Sequence, residues 1–353
     1  VMPKERSIDV DTIHDIHMCE AMLSSKRIVF VVAGYREIGL GHVYRALLLA
    51  HEFVKYSVIF VCEAKDDLAI SQIKQYNYDI EVCSEGSLSG TVLALRPDLI
   101  INDILDTTEN YVRRLKADGA AVVNFEDMGS GSSHADFTIN ALYPHQLKSN
   151  TTLSGPDYFC LRDEFLHIKR RPFSNTVTNI LLTFGGVDEG NITCRVLSIL
   201  SDLINDLNIK ITVVVGPGYL HDALLNDFYT AYNKGVLNII KNTNQISEYM
   251  NESDFAITSG GRTVYELASL YVPSVVLCQN KREVSHTYAS EKNGVVNLGL
   301  HSNVSDEEIA ETLRHLINDS DYRLKLHTVM SCNKLSEGKQ RVVSLLVGLI
   351  DRC

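Results

Sequence analysis

The sequence predicts an α/β protein built from two similar domains in tandem, each a mostly parallel sheet covered on both faces, with one cleft between them. Three observations carry this expectation. The length of 353 residues exceeds the roughly 250 to 300 residues at which a single hydrophobic core stops growing. Short apolar runs alternate twice with segments of 3.6-residue periodicity, which specifies parallel strands joined by crossover helices. Between the two series stands a charged, proline-bearing stretch, residues 167–173, of the kind that links domains across the surface.

The first 25 residues differ in kind from the rest of the chain. Residues 8–12 read as a strand end and Thr12 as the N-cap of a short helix over 13–23; an ordinary N-terminal arm would look the same. From Arg27 the alternation begins. It predicts strands over 28–33, 57–62, 80–83, 98–102 and 120–124, with helices near 43–54, 66–75 and 109–117. A glycine and serine cluster, Gly129 to Ser133, breaks the rhythm. The second series predicts strands over 179–184, 210–215, 237–240, 255–258 and 274–277, and a helix over 191–204. Residues 340–350 place Val342, Val343, Leu345, Leu346 and Ile350 on one apolar stripe, expected to return to the first domain. The expected division is therefore an arm (1–25), a first domain (26–170), a second domain (171–335) and a terminal helix (336–353).

Composition is that of a globular enzyme. Hydrophobic residues make up 45% and charged residues 22%, and no apolar run approaches the roughly 20 residues of a membrane span, so no membrane partner is expected. A net charge of −11 opposes a nucleic-acid surface, which needs clustered Lys and Arg. The eight cysteines, Cys19, Cys62, Cys83, Cys160, Cys194, Cys278, Cys332 and Cys353, form no CxxC pair and read as scattered reduced thiols in a cytoplasmic protein. His14 and His17 are the sole close histidine pair, and a solvated helix face explains them without a metal.

Three glycine-bearing segments carry the chemistry. Gly39-Leu40-Gly41-His42-Val43-Tyr44-Arg45 follows the first strand and opens a helix. His42 thus falls at the carboxyl edge of a parallel sheet, where ligands bind in open α/β folds; a satisfied histidine in a tight turn is the alternative. Thr258-Ser259-Gly260-Gly261-Arg262-Thr263-Val264-Tyr265-Glu266 again joins a strand to a helix. Its free N–H groups suit a diphosphate, Ser259 and Thr263 can add hydroxyl donors, Arg262 adds charge, and Glu266 lies one turn on, where it could accept from ribose hydroxyls. A plain capped turn would share the glycines. In Phe184-Gly185-Gly186-Val187-Asp188-Glu189-Gly190-Asn191, Asp188 or Asn191 could simply cap the next helix, or the glycine backbone could approach a phosphate or sugar.

These segments, together with GPDYFCLRDEF and NQISEYMNESDFAITSGGRTVYELASLYVPSVVL, resemble the UDP-2,4-diacetamido-2,4,6-trideoxy-β-L-altropyranose hydrolases of the pseudaminic acid pathway and their spore-coat polysaccharide relatives. The resemblance runs from about Arg27 to the C-terminus. More distantly the arrangement looks like the peptidoglycan N-acetylglucosaminyltransferase, which implies a GT-B-like fold of two Rossmann-like domains. It further implies that His42 is the base that activates water. By the same resemblance Gly260, Gly261, Thr263 and Glu266 form the UDP loop and helix, the Ile246 backbone meets uracil, and Gly185 and Asn191 belong to the second glycine motif. Gly41, Arg45, Gly186, Ser259, Arg262, Asn280 and His286 complete the expected substrate contacts. No cofactor and no metal are implied. The chain departs from the hydrolases at Asp103-Ile104-Leu105, where they carry a tyrosine after the aspartate, and at Gln279-Asn280-Lys281, where they carry an Asn-Gln pair. The nucleotide half therefore matches better than the sugar half. A second resemblance concerns the arm: IDVDTIHDIHMCEAML looks like the final segment of CMP-nonulosonate cytidylyltransferases. It implies that the chain is the C-terminal part of a bifunctional protein.

The expected activity is metal-independent, inverting hydrolysis of a UDP-linked acetamido sugar in nonulosonic acid synthesis, with a small-molecule UDP-sugar as the partner. Histidine, with an ordinary pKa near 6.5, can accept a water proton at neutral pH. Two other readings stay open: a GT-B glycosyltransferase using the same donor, and a nucleotide-sugar-binding module without catalysis.

Overall fold

A computed structural model describes residues 9–23, 25–35, 38–144, 151–204, 207–231 and 236–352. The arm holds helix α1 (Ile13–Leu23). Thr12 caps it reciprocally: its hydroxyl accepts the Asp15 N–H at 3.3 Å, and the Asp15 carboxylate accepts the Thr12 N–H at 2.7 Å. Residues 9–11 are irregular, and Ile8 of the expected strand end lies outside the described residues.

The first sheet comprises β1 (Arg27–Val32), β2 (Ser57–Glu63), β3 (Asp79–Cys83), β4 (Leu99–Asp103), β5 (Ala121–Phe125), β6 (Phe137–Asn140) and β7 (Thr152–Ser154). Its helices are α2 (Gly41–Ala50), α3 (Asp67–Lys74), α4 (Leu88–Ala94) and α5 (Glu109–Lys116), and α6 (Asp163–His167) leads out of it. The second sheet comprises β8 (Asn179–Thr183), β9 (Lys210–Val215), β10 (Leu237–Lys241), β11 (Phe255–Thr258), β12 (Ser274–Cys278) and β13 (Val295–Leu300). Around it lie α7 (Ile192–Ile204), α8 (Asp222–Ala231), α9 (Ile246–Asn251), α10 (Thr263–Ser269), α11 (Lys281–Val284), α12 (Asp306–Asn318) and α13 (Ser320–Ser331), before the terminal α14 (Gly338–Ile350).

Both sheets are parallel throughout, with strand orders β3-β2-β1-β4-β5-β6-β7 and β10-β9-β8-β11-β12-β13. Central strands such as β1 and β8 are buried almost end to end, as expected when helices cover both faces. In each sheet the first strand sits where the strand order reverses, β1 between β2 and β4 and β8 between β9 and β11. Such a switch point splays the two flanking loops apart at the carboxyl ends of the strands and opens a crevice there. The loops after β1, β8 and β11 carry the glycine motifs.

The break at Gly129 to Ser133 is a 3-10 turn, after which the first sheet continues into β6 and β7. β6 escapes sequence reading because two of its four residues, Thr138 and Asn140, are polar. Both are buried with partners: the Thr138 hydroxyl donates to the Ser132 carbonyl, and the Asn140 amide to that of Asp127. The expected linker is pinned rather than free, since Arg170 donates to the Ser269 carbonyl and Arg171 pairs with Asp254. Helix α14 returns to the first sheet and buries Val342, Val343, Leu346 and Ile350 among Leu47, Phe53 and Ile28. Each such side chain is worth roughly 1.5 to 3 kcal/mol of burial. The described cysteines are free thiols, buried at 62, 83, 160, 194 and 278. Among the described residues no helix is long and apolar enough to cross a membrane.

Candidate active site

His42 stands in the first turn of α2, directly after the β1 loop, and Asp103 is the last residue of β4. The switch point brings them together: His42 Nδ1 lies 2.5 Å from Asp103 Oδ1. Asp103 is buried while a little of the His42 side chain stays exposed. Burial alone would raise the Asp103 pKa, but the charges of Arg45 and His42 outweigh it and hold the carboxyl below its ordinary value. An ionised Asp103 accepts a hydrogen bond from Nδ1–H, which fixes the tautomer and leaves Nε2 as the acceptor. That is the arrangement of an oriented general base.

Across from it the second domain presents its own two loops. A side-chain carbon at Gly186 would lie 3.5 Å from the Leu40 backbone, and one at Gly41 would lie 3.3 Å from the Arg262 side chain. The start of α2 is therefore held between the β8 loop and the start of α10. Gly185 has φ +82°, a conformation open to glycine at no steric cost. Asp188 caps α7, accepting from the Ile192 and Thr193 N–H groups at 2.8 Å, while Asn191 accepts from the Tyr219 hydroxyl at 3.0 Å.

Gly260 is required by space, because a side-chain carbon there would come within 2.9 Å of Glu283. Its N–H donates to Glu283 Oε2 at 3.0 Å, as does that of Gln279 at 2.7 Å. Burial pushes the Glu283 pKa up to about 7, only partly offset by these two donors. The Val264 and Tyr265 N–H groups close the first turn of α10 onto Gly261 and Arg262, so the donors just before them are those of a helix start, beside Ser259 and Thr263. Arg262 lays its guanidinium over the Phe159 ring at 4.6 Å and donates to the Cys160 carbonyl at 2.7 Å. Glu266 is buried and accepts from Arg162 Nε at 3.1 Å; the same guanidinium pairs with Glu164 at 2.7 Å. Ile246 opens α9, and the next N–H, of Ser247, donates to Glu164.

Three more of the expected substrate contacts also have partners within the protein. The Arg45 guanidinium is buried and committed to Asp103 and Glu126, because it sits on the inner face of α2 against β4. Asn280 spends its side-chain oxygen capping α11 through the Arg282 and Glu283 N–H groups. His286 is buried against Tyr143 and Tyr265, its Nδ1 accepting from the Tyr288 and Ala289 N–H groups. Desolvation lowers its pKa to about 4, and its Nε2 is buried without a hydrogen-bond partner. Sequence reasoning missed Asp103 as the histidine's partner, Arg162 as that of Glu266, and Glu126 altogether. The position of Asp103 at the carboxyl end of a central strand was the available signal. Among the described residues no group of three or more His, Cys, Asp or Glu is arranged to hold a metal ion.

No family model matches the chain. A functionally uncharacterized protein of Methanocaldococcus jannaschii is 33% identical over 274 residues, covering 72% of this chain and 56% of that protein. The chain thus spans little more than half the length of this relative. The spore coat polysaccharide biosynthesis protein SpsG of Bacillus subtilis is 26% identical over 340 residues, 92% of this chain and 98% of SpsG. Among solved structures, Acinetobacter baumannii MurG aligns with a TM-score of 0.67 at 14% identity, covering 92% of this chain and 99% of MurG. The co-structure of S. aureus MnaA with UDP aligns at 0.61 and 13% identity, covering 90% and 95%. The fold is accordingly that of the GT-B enzymes, two Rossmann-like domains with parallel sheets.

Proposed function

We propose that the chain hydrolyses a UDP-linked acetamido sugar to free sugar and UDP, with inversion and without a metal, in the synthesis of a nonulosonic acid. The observation that carries this reading is the His42–Asp103 contact at the switch point of the first sheet, opposite Gly186 and Arg262 of the second. Water delivered to the anomeric carbon gives a proton to His42 Nε2 as its oxygen forms the new bond. The bond from that carbon to the phosphate oxygen breaks, and UDP leaves with the electron pair. Donors at the start of α10 and the hydroxyls of Ser259 and Thr263 stabilise the charge that grows there. Glu266, oriented by Arg162, meets the ribose hydroxyls, and the backbone at Ile246 meets the uracil. The likeness to SpsG supports a role in polysaccharide synthesis, and the likeness to a UDP-bound structure supports the nucleotide.

Two further parts belong to the same proposal: the protein works in the cytoplasm, and the arm through residue 25 closes a preceding cytidylyltransferase-like domain. The domain division at 25, 170 and 335 belongs with them. The shared fold equally supports a glycosyltransferase, in which His42 takes its proton from an acceptor hydroxyl. A module that binds UDP-sugar without turnover is the third reading.

Incubation with a panel of UDP-amino sugars, followed by NMR of the products, tests the proposal. Release of UDP and free sugar without an acceptor is expected, with the initial anomer inverted. His42→Ala should keep UDP binding and lose about 10² to 10⁴ in turnover, the usual worth of a positioned base. Strict acceptor dependence would establish the transferase, an unchanged UDP-sugar the binding module, and near wild-type turnover by His42→Ala would remove the histidine from catalysis.

A further inference from the structure

We propose that Arg45 and Glu126 form a buried positioning relay for His42, and that Arg282 anchors the far end of this relay to the second domain. The inference rests on the reading of His42 as the base. Arg45 lies three residues after His42 on α2, so the two side chains leave the same face of the helix. Its guanidinium grips Asp103 as a fork, Nε to Oδ2 at 2.7 Å and Nη2 to Oδ1 at 2.6 Å. Oδ1 is also the atom that meets His42. A bidentate fork fixes the plane of a carboxylate in a way that a single contact does not. Arg45 therefore sets the direction in which Asp103 holds the imidazole.

The relay continues from the remaining amino group of Arg45, 3.2 Å from Glu126 Oε1, with the Phe125 ring 5.0 Å from the guanidinium carbon. Glu126 is buried and adopts φ +50°, a conformation uncommon for a residue with a side chain. Strain of this kind persists where the surroundings over-determine it, and it clusters at functional sites. Here the surroundings are specific. The Glu126 carboxylate accepts from the Ala141 and Leu142 N–H groups as well as from Arg45, while its carbonyl accepts from Arg282 Nη2. Arg282 belongs to α11 of the second domain. Its other amino group reaches Asp106 of the first domain at 2.9 Å, and its guanidinium lies over Tyr143 at 5.1 Å.

The neighbour of Arg282, Glu283, holds the Gly260 N–H at the candidate phosphate loop. A continuous path thus joins that loop to the base: Gly260, α11, Glu126, Arg45, Asp103, His42. The charged side chains packed about the His42 end of α2 are Asp103 and Arg45 from the first domain and Arg262 from the second. Docking of α11 on the first domain would complete the support of the histidine where the leaving group is held.

The test reads His42 directly by NMR in the full chain, with no substrate, so it does not depend on which reaction is catalysed. Arg45→Gln removes the fork on Asp103, so the hydrogen-bonded Nδ1 proton should exchange with water about tenfold faster. Arg45→Lys keeps the charge and loses the fork. It should quicken exchange of the same proton about tenfold, and it serves if Arg45→Gln does not fold. Arg282→Ala, on the partly exposed side of the contact, should quicken the same exchange about tenfold and leave UDP affinity unchanged. Unchanged exchange in Arg45→Gln, Arg45→Lys or Arg282→Ala overturns the relay. If these signatures appear while no UDP-sugar is turned over, the relay stands and the reading of His42 as a base falls; turnover with unmoved signatures gives the reverse.

Discussion

Replacing Asp103 by Asn probes the candidate site at its centre and changes little but charge. The aspartate accepts from His42 and twice from Arg45, and hydrogen bonds to charged groups are worth about 1.5 to 3 kcal/mol each. Asn keeps one oxygen for these donors, and Arg45 keeps Glu126 at 3.2 Å, so the loss should fall near 3 kcal/mol, the low end for breaking a buried pair. A drop in Tm on the order of 10 °C follows. The pH dependence has a definite sign. Because the folded Asp103 lies below its ordinary value, its contribution is present above about pH 4 and is lost as pH falls through the folded pKa. Asp103→Asn should therefore be destabilised at neutral pH and converge on the wild type in acid. In catalysis the amide can donate to Nδ1 and hold the imidazole in the tautomer that places a proton on Nε2, which removes the base and costs about 10² to 10⁴ in kcat. UDP release at saturating UDP-sugar, well below the Tm, measures the second effect, and calorimetry with UDP verifies the nucleotide site. A folded, UDP-binding Asp103→Asn that turns over within threefold of wild type refutes the oriented-base argument.

Glu266→Ala should weaken UDP binding about tenfold by titration calorimetry, as expected for a lost charged hydrogen bond; equal binding of uridine and adenosine diphosphates by the wild type would remove the nucleotide assignment altogether. Activity should survive EDTA, and an obligate Mg²⁺ or Mn²⁺ requirement would turn attention to Asp103, Asp106 and Asp127. Burial raises the Glu283 pKa to about 7, so its proton-linked stability is full below the unfolded value near 4.3 and is lost as pH rises through 7. Glu283→Gln, which retains an acceptor for Gly260 and Gln279, should raise Tm more at pH 8 than at pH 5. Equal effects at both pH values would show that the carboxyl is not protonated in the fold.

Much of the architecture is legible because buried parallel strands are nearly continuous apolar runs. β8 and β12 differ from the expected spans by a residue at one end, and β1 by a residue at each end. Legibility fails where burial is achieved with polar residues, as in β6, whose Thr138 and Asn140 satisfy themselves on loop carbonyls. α4 is missed for a related reason, since its Ser-Gly-Thr interior lacks a long apolar stripe. The glycine motifs locate the loops after β1, β8 and β11 but say nothing of which side chain meets which. Arg45 looks like a ligand-binding cation in the sequence and is a buried partner of two carboxylates. Those carboxylates lie 58 and 81 residues away, and contact at such separation is set by strand order rather than by local pattern. Asp103 meets His42 because β4 lies beside β1.

On the proposed reading of the site, the two sheets divide the work in a way that bears on hydrolysis against transfer. An inverting displacement needs a base on one face of the sugar and leaving-group donors on the other. His42 comes from the first sheet and the loops beside Gly261 and Gly186 from the second, so the reacting carbon belongs between them in either reaction. The nucleotide machinery, the oriented histidine and its support from Arg45 are indifferent to whether water or a sugar hydroxyl stands at Nε2. What distinguishes the two is the surface that would hold an acceptor beside His42, in the half of the chain that departs from the hydrolases at Ile104-Leu105 and Asn280-Lys281. There Asn280 caps α11 and Arg282 bridges the domains. Acceptor dependence in the product assay therefore decides between hydrolysis and transfer.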